Sequence, residues 1–249
     1  MLSYMKLLEL FSGTGSIGKI AKEKGWEVVS LDLKGADINT DILKWDYKKD
    51  YIPGDFDVIW ASPPCDTFSA LRRTWIGRKL KCHNGEICSQ ELLDKDIQEQ
   101  GLPILRRAEE IIDFFKPKYY FMENPQTGLM KNYVERPFYD VDYCKYSNWG
   151  YKKRTRIWTN LQGFNAKLCK NDCDNLMENT KLHKANFGGN KMVVNENGKI
   201  IKVKTAAARE KYRDEPNAQP YVKGGGNNRN ERYRIPPDLI TDLFKNISI

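Results

Sequence analysis

Apolar residues follow two periodicities along the first 160 residues of the chain. Short runs of strand-forming residues, which predict β-strands, lie at 5–11, 26–33, 56–62 and 119–125. Residues 17–25 and 90–118 have apolar positions at helical spacing, with a break or restart at Pro103 and an end at Pro117. Strands that alternate with helices in this way predict an α/β fold with a doubly wound, mostly parallel sheet.

The pattern changes in the second part of the chain. Residues 142–147 and 154–160 are predicted to pair as a hairpin. From about residue 161 the chain is rich in Lys, Asn and Gly, which predicts a small insertion or recognition region. Residues 235–247 start with prolines and an aspartate and predict a closing helix that packs on the main domain. The predicted division is a main domain at 1–160, a small recognition region at 161–230 and a closing segment at 231–249.

Composition limits the possible partners and compartments. The chain of 249 residues has 41 Lys and Arg against 33 Asp and Glu, and its net charge of +8 favours an anionic partner such as nucleic acid. It has no run of about 18 apolar residues, so we expect no transmembrane helix. The N-terminal residues predict a strand and not a signal peptide. Because the six cysteines are scattered, we expect reduced thiols in an intracellular, cytoplasmic protein, and we expect a monomer.

A glycine-rich segment lies between the first predicted strand and the first predicted helix. Gly13, Gly15 and Gly18 have the spacing G-x-G-x-x-G, which lets a ligand approach bare backbone at a helix N-terminus. Asp32 ends the second predicted strand, where a carboxylate can accept hydrogen bonds from the hydroxyls of a ribose. The pattern predicts an adenosine-type cofactor without specifying which one, and the alternative is a tight turn that needs glycine.

A cysteine and a glutamate lie at the ends of two other predicted strands. Cys65 follows Pro63 and Pro64, and Glu123 is near the end of the strand at 119–125. Ligands of open α/β sheets bind beyond the carboxyl ends of the strands, so we expect the thiol, the carboxylate and the glycine segment to converge. A thiolate is a strong nucleophile at neutral pH, and we expect nearby basic groups to favour it. An inert core cysteine is the alternative.

Five segments, in order, resemble motifs of the DNA (cytosine-5-)-methyltransferases that use S-adenosyl methionine. They are LELFSGTGS, TDIL, SPPCDTFS, MENP and KKRTRIWTN. The resemblance implies a Rossmann-like class I methyltransferase fold with a small target-recognition region. The cofactor contacts that it implies are Phe11, Ser12, Gly13, Thr14, Gly15, Ser16, Asp32, Leu33, Asp41, Ile42, Pro63 and Pro64.

The resemblance also implies a reaction. The thiolate of Cys65 would add to C6 of cytosine and make C5 nucleophilic toward the methyl group, while Glu123 would hold the N3 and amino edge of the base. Arg154 and Arg156 would clamp the base carbonyl and the adjacent phosphate. Because C6 is shielded inside a duplex, the target base would have to be flipped out.

Residues near the thiol are expected to contact nucleic acid. The basic segment 70–82 resembles the mobile lid of the family, and a solvated charged loop is the alternative. The residues with implied nucleic-acid contacts are Ser69, Arg72, Arg73, Asn124 and Lys152. Lys152 stands where many members of the family carry glutamine.

Two further groups of cysteine and histidine occur in the sequence. They comprise Cys82, His83 and Cys88 in one loop, and Cys169, Cys173 and His183 in a later segment. The four thiolates could bind a structural zinc ion if the two loops met. Neither spacing is the usual C-x2-C, so we expect free thiols, with zinc as the alternative. We expect Cys144 to pack within a strand.

The function predicted from these features is methylation of C5 of cytosine in double-stranded DNA, with S-adenosyl methionine converted to S-adenosyl homocysteine. One alternative is the same chemistry on RNA such as transfer RNA, although the residues around Cys65 differ from those of the tRNA-directed lineage. The other is a dinucleotide-dependent oxidoreductase, which would rest on the glycine segment alone and leave Cys65, Glu123 and the arginines unexplained.

Overall fold

A seven-stranded sheet forms the centre of the computed structural model, which describes residues 5–185, 192–194, 197–202 and 233–247. Its strands are β1 (Lys6–Leu10), β2 (Glu27–Asp32), β3 (Ile38–Asn39), β4 (Val58–Ala61), β5 (Tyr119–Pro125), β6 (Phe138–Asp142) and β7 (Arg154–Thr159). They lie in the order β3-β2-β1-β4-β5-β7-β6. β7 is antiparallel to both of its neighbours, and the other pairs are parallel, so the predicted mostly parallel sheet is confirmed. β8 (Met192–Val194) and β9 (Ile200–Lys202) form a separate hairpin.

Helices cover both faces of the sheet. The α-helices of the described residues are α1 (Ser16–Glu23), α2 (Tyr47–Asp50), α3 (Gln90–Asp96), α4 (Leu102–Phe115) and α5 (Pro237–Lys245). Successive residues of a strand point to opposite faces. In β1, Leu8 packs in the hydrophobic cluster that includes Ile111 of α4, whereas Leu7 packs in the cluster that includes Ile17 of α1 and Leu239 of α5. The sheet is therefore doubly wound, and the closing helix packs on it as predicted.

Shorter helical turns connect these elements. Five of them are described, four 3-10 turns at Ala70–Trp75, Lys81–His83, Leu129–Asn132 and Tyr143–Lys145 and one π-helical turn at Ile97–Gly101. No helix in the described part of the chain combines the length and the hydropathy needed to cross a bilayer. The boundaries at residues 160 and 230 stay a prediction, since residues 203–232 lie outside the described part.

The hairpin that ends the sheet has a different first strand from the predicted one. β7 pairs with β6 at residues 138–142, whereas residues 143–145 form a 3-10 turn. Asp140 and Asp142 lie directly opposite Arg156 and Arg154. Opposite charges on facing positions stabilise that register. The prediction of a strand at 142–147 was wrong because the apolar residues there belong to a buried turn.

The long helical segment contains a glycine that the loop after Cys65 contacts closely. α3, the π turn and α4 follow one another without a break, and Pro103 lies in the first turn of α4, so it restarts the helix. A Cβ at Gly101 would lie 2.5 Å from Thr67 Oγ1 and 2.9 Å from Phe68 Cζ. Glycine at this position lets the loop that follows Cys65 pack directly on the π turn.

Candidate active site

The glycine segment and the end of β2 meet at one edge of the sheet. Gly13 and Gly15 have φ angles of 48° and 65°, which favour glycine. The Gly13 N–H donates to Asp32 Oδ2 at 2.8 Å, and the Leu33 N–H donates to Oδ1 at 2.7 Å. A Cβ at Gly15 would meet nothing within 4 Å. The segment therefore borders open space at Gly15 and is hydrogen-bonded to the Asp32 carboxylate through Gly13.

The third glycine of the motif is required by a close contact with a buried acid, which the sequence did not reveal. A Cβ at Gly18 would lie 2.7 Å from Glu9 Oε2. Glu9 is buried in β1, and its two oxygens accept the backbone N–H groups of Ile17 and Gly18 at 3.2 and 3.0 Å. Burial raises the pKa of Glu9 to about 7, against the lowering effect of these two hydrogen bonds. The only signal in the sequence was an acid inside an apolar strand.

We expect Glu9 to make the stability of the protein fall as the pH rises. Its pKa is raised from 4.5 to about 7 by folding, so the native state holds a proton that the unfolded chain releases. The stabilisation that protonated Glu9 provides is complete below pH 4.5 and is lost as the pH rises through 7. This is a change of roughly 3 kcal/mol in the free energy of unfolding. Urea unfolding between pH 5 and 8 measures it.

Two variants separate Glu9 from the other titrating groups. Glu9→Gln is neutral at every pH and is expected to flatten this part of the stability profile. Glu23→Gln, which removes an exposed carboxylate from α1, the helix whose N–H groups Glu9 accepts, is expected to leave the profile unchanged. Equal slopes for wild type and Glu9→Gln would show that Glu9 does not titrate in this range.

A buried asparagine holds the corner that carries the thiol. β4 ends at Ala61, and Pro63 is buried, whereas Cys65 is half-buried. Asn124 Nδ2 donates to the Pro63 carbonyl at 2.9 Å, and Asn124 is 1% exposed. The predicted contact of Asn124 with nucleic acid is therefore corrected, because its side chain is enclosed and fixes the corner before Cys65.

Two hydroxyl groups bind the carboxylate of Glu123. Thr155 Oγ1 donates to Glu123 Oε1 at 2.5 Å, and the Tyr143 hydroxyl donates to the same oxygen at 3.1 Å. Glu123 is 7% exposed, and Tyr143 is fully buried. These bonds hold the carboxylate in one orientation, as a group that recognises a substrate requires. Tyr143 and Thr155 were not among the predicted site residues, although Thr155 lies between the two arginines of the segment KKRTRIWTN.

The surroundings of Cys65 favour its neutral thiol. Burial, the charge of Asp66 and the charge of Glu123, in that order, raise the pKa of Cys65 to about 11, while Lys153 lowers it. The expectation that basic groups favour the thiolate was therefore wrong, because two acids lie near the sulfur and oppose Lys153. Ala61 of β4 lies opposite Met122 of β5, so Cys65 and Glu123 follow at the same end of two neighbouring strands.

The two arginines of β7 have other partners than the predicted ones. Arg154 donates to both oxygens of Asp142 at 3.0 and 2.7 Å, and Arg156 donates to both oxygens of Asp140 at 2.7 and 2.9 Å. Side chains alternate along a strand, so Thr155 reaches Glu123 while its two neighbours point to the opposite face. Both guanidinium groups are therefore in bidentate ion pairs within the protein, and their role as a clamp on the base stays a prediction.

Two other cations that were expected to contact nucleic acid are also engaged within the protein. Arg72 is buried, pairs with Asp96 and lies 5.5 Å from the centre of the Trp75 ring. Lys152 Nζ donates to the Cys169 carbonyl at 2.9 Å. The buried position of Arg72 corrects its predicted contact, whereas the contact predicted for the partly exposed Lys152 stays a prediction. Arg73 is exposed, as a contact with a phosphate backbone requires.

The remaining predicted contacts differ in their accessibility. Ser69 is half-buried at the start of the 3-10 turn Ala70–Trp75. Asp41 accepts the Leu43 N–H at 3.0 Å, and Ile42 is buried in the hydrophobic cluster beside α4. Leu33 is 68% exposed at the end of β2, where it offers apolar surface beside Asp32. The roles of these residues in binding a ligand stay predictions.

The cysteines group differently from the predicted zinc site. Cys82 is exposed and Cys88 is buried, and in the described part of the chain neither joins a cluster of potential metal ligands. Instead, Cys169, Cys173 and His183 lie beside Cys144. Cys144 is in the 3-10 turn Tyr143–Lys145, so its predicted place in a strand was wrong.

Comparisons with known proteins give one relative over nearly the whole chain. No protein-family model matches. The chain is 42% identical over 244 residues to the probable DNA (cytosine-5)-methyltransferase of Frog virus 3 (isolate Goorha), which covers 96% of this chain and 99% of the relative. The methyltransferase EhMeth of Entamoeba histolytica matches with a TM-score of 0.44 and 13% identity, over 67% of this chain and 56% of its own. A mutant of Spodoptera frugiperda DNMT2 matches with a TM-score of 0.37 and 18% identity, over 67% and 53%.

Proposed function

This chain belongs to the DNA (cytosine-5)-methyltransferase family, and from that premise we propose that it methylates C5 of cytosine in duplex DNA with S-adenosyl methionine as the methyl donor. One observation supports the assignment above all others. Asn124 joins the corner before Cys65 to the strand position next to Glu123, and two hydroxyl groups hold the buried carboxylate of Glu123. A nucleophile beside an oriented acid is what addition to a cytosine ring needs.

The glycine edge of the sheet fits the proposed cofactor. Gly15 borders open space at the start of α1, Asp32 offers carboxylate oxygens for ribose hydroxyls, and Leu33 offers exposed apolar surface for a purine. We assign the cofactor contacts to these residues and to their neighbours Phe11, Ser12, Gly13, Thr14 and Ser16. When bound, S-adenosyl methionine supplies an electrophilic methyl group. Asp41, Ile42, Pro63 and Pro64 complete the proposed set.

The proposed reaction starts with transfer of the thiol proton of Cys65 to solvent. Because the pKa of Cys65 is about 11, the thiol is protonated at neutral pH until the substrate enters. The thiolate then forms a bond to C6 of the cytosine, and the C5–C6 π electrons move to C5. C5 takes the methyl group as the sulfur–methyl bond of the donor would break to leave S-adenosyl homocysteine. A water molecule accepts the proton from C5, and the sulfur–carbon bond at C6 breaks, which restores the aromatic ring and frees Cys65 as a thiolate.

Glu123 is proposed to bind the N3 and amino edge of the base. Tyr143 and Thr155 hold one of its oxygens, and this fixes the direction in which the carboxyl group faces the ring. A fixed group that neutralises charge on the ring in the transition state contributes more than one that must first reorient. The two hydroxyls are positioning groups that act through Glu123.

We propose that the target cytosine flips out of the duplex so that Cys65 can reach its C6 atom. C6 of a stacked cytosine cannot be reached by a side chain on the sheet edge, so the nucleotide must rotate out of the duplex. The net charge of +8 and the exposed Arg73 after the thiol suit binding to the phosphate backbone. In this proposal residues 1–160 carry the catalytic site, 161–230 read the target and 231–249 close the catalytic domain.

The decisive experiment supplies labelled S-adenosyl methionine with duplex DNA, transfer RNA or free cytidine nucleotide in parallel reactions. We expect label in duplex DNA, located at C5 of cytosine by bisulfite sequencing. Label that enters transfer RNA instead would overturn the proposed substrate while keeping the chemistry. Absence of label from all three, with cofactor bound, would overturn the proposed reaction.

A further inference from the structure

Three thiols and one imidazole converge beside the turn that carries Tyr143. Cys144 comes from the 3-10 turn after β6, whereas Cys169, Cys173 and His183 come from the segment that follows β7. Their ligand atoms all lie within 4.8 Å of one another. Cys144, Cys169 and His183 are buried, and Cys173 is half-buried. Four donors from distant parts of the chain thus point into one small volume.

The three distances among Cys169, Cys173 and His183 match the edges of a coordination tetrahedron. Cys169 Sγ lies 3.7 Å from Cys173 Sγ, and His183 Nε2 lies 3.6 and 3.4 Å from the two sulfurs. A tetrahedral zinc ion with its usual bond lengths places two sulfurs about 3.8 Å apart and a sulfur and a nitrogen about 3.6 Å apart. The 3.7 Å separation is much longer than the sulfur–sulfur bond of a disulfide, about 2.05 Å.

Hydrogen bonds around the cluster connect the turn after β6 with the segment after β7. The Cys169 N–H donates to Asp142 Oδ2 at 2.8 Å. Asn175 accepts the Gly150 N–H and donates to the carbonyls of Cys144 and Ser147, at 2.7 to 2.8 Å. Metal sites in proteins are supported by outer contacts of this kind, which orient the ligands.

We propose that Cys144, Cys169, Cys173 and His183 form a structural zinc site. Three thiolates and one imidazole in a closed tetrahedron are a donor set typical of structural zinc and leave no position open for a substrate. The spacing C-x3-C between Cys169 and Cys173 falls within the usual range for zinc ligands. The ion ties the segment after β7 to the turn that holds Tyr143, in a region that has few apolar side chains of its own.

The test measures metal directly and does not depend on methyl transfer. Protein purified without chelators is expected to contain about one zinc ion per chain by inductively coupled plasma mass spectrometry. Cobalt that replaces zinc is expected to give the ligand-field bands of a tetrahedral site together with sulfur-to-cobalt charge transfer. Chelation with 1,10-phenanthroline is expected to lower the Tm by about 5 °C or more.

Variants identify the ligands. Cys169→Ser and His183→Ala are expected to lose the bound zinc, whereas Cys82→Ser, which changes an exposed thiol in another loop, is expected to retain it. Where a ligand variant does not fold, the cobalt spectrum of the wild type still reports the donor set. Folded wild-type protein that takes up neither zinc nor cobalt at one equivalent would overturn the proposal, and so would full zinc content in Cys169→Ser. Neither result bears on the proposed reaction.

Discussion

Cys65→Ser is expected to lower the rate of methyl transfer to cytosine by roughly 10⁴-fold or more. The change replaces one atom and keeps the size of the side chain, so the corner formed by Pro63 and held by Asn124 remains. A serine hydroxyl is a much weaker nucleophile than a thiolate and cannot add to C6 of an aromatic ring at a useful rate. Without that addition C5 does not gain the electron density that the reaction needs.

Single-turnover transfer of label to duplex DNA measures this loss, and calorimetry measures the affinity for S-adenosyl methionine. The affinity is expected to stay close to that of wild type, because the proposed cofactor contacts lie mainly on the glycine segment and around Asp32. Cys82→Ser is the matched control, since it changes an exposed thiol, and it is expected to retain full activity. A rate for Cys65→Ser within about tenfold of wild type would remove the thiol from the mechanism.

Local patterns were sufficient to predict the elements that form the edge of the sheet. The apolar runs located β1, β2, β4 and β5, and the glycine spacing located the turn next to Asp32. Both depend on backbone preferences within a few residues, and a sequence records such preferences directly. The convergence of Cys65 and Glu123 then followed from the general rule for ligand sites in α/β sheets.

Partnerships between distant residues could not be predicted in the same way. Arg156 pairs with Asp140 because β6 and β7 share a particular register, and that register was not known. Arg72 is buried because Asp96 approaches it from α3. Cys144 joins a cluster with residues that lie 25 or more positions further along the chain. In each case the sequence gives the chemical type of the residue, but the residue that it contacts depends on the fold.

Glu123→Gln is expected to change two rates in opposite directions. Methyl transfer is expected to fall by about 10²- to 10³-fold, because an amide cannot neutralise charge on the ring as a carboxyl group does. Alkylation of Cys65 by iodoacetamide is expected to become faster at pH 8, because the charge of Glu123 helps to raise the pKa of the thiol to about 11. A general loss of structure would not produce this pair of effects.

Asp66→Asn is the matched control for that experiment. Asp66 raises the pKa of Cys65 more than Glu123 does, so its removal is expected to accelerate alkylation at least as much. Because Asp66 has no proposed contact with the base, methyl transfer is expected to stay within about tenfold of wild type. Peptide mapping by mass spectrometry distinguishes Cys65 from the exposed Cys82. Unchanged methyl transfer in Glu123→Gln would exclude Glu123 as the group that holds the base, whereas unchanged alkylation in both variants would mean that neither carboxylate acts on the thiol.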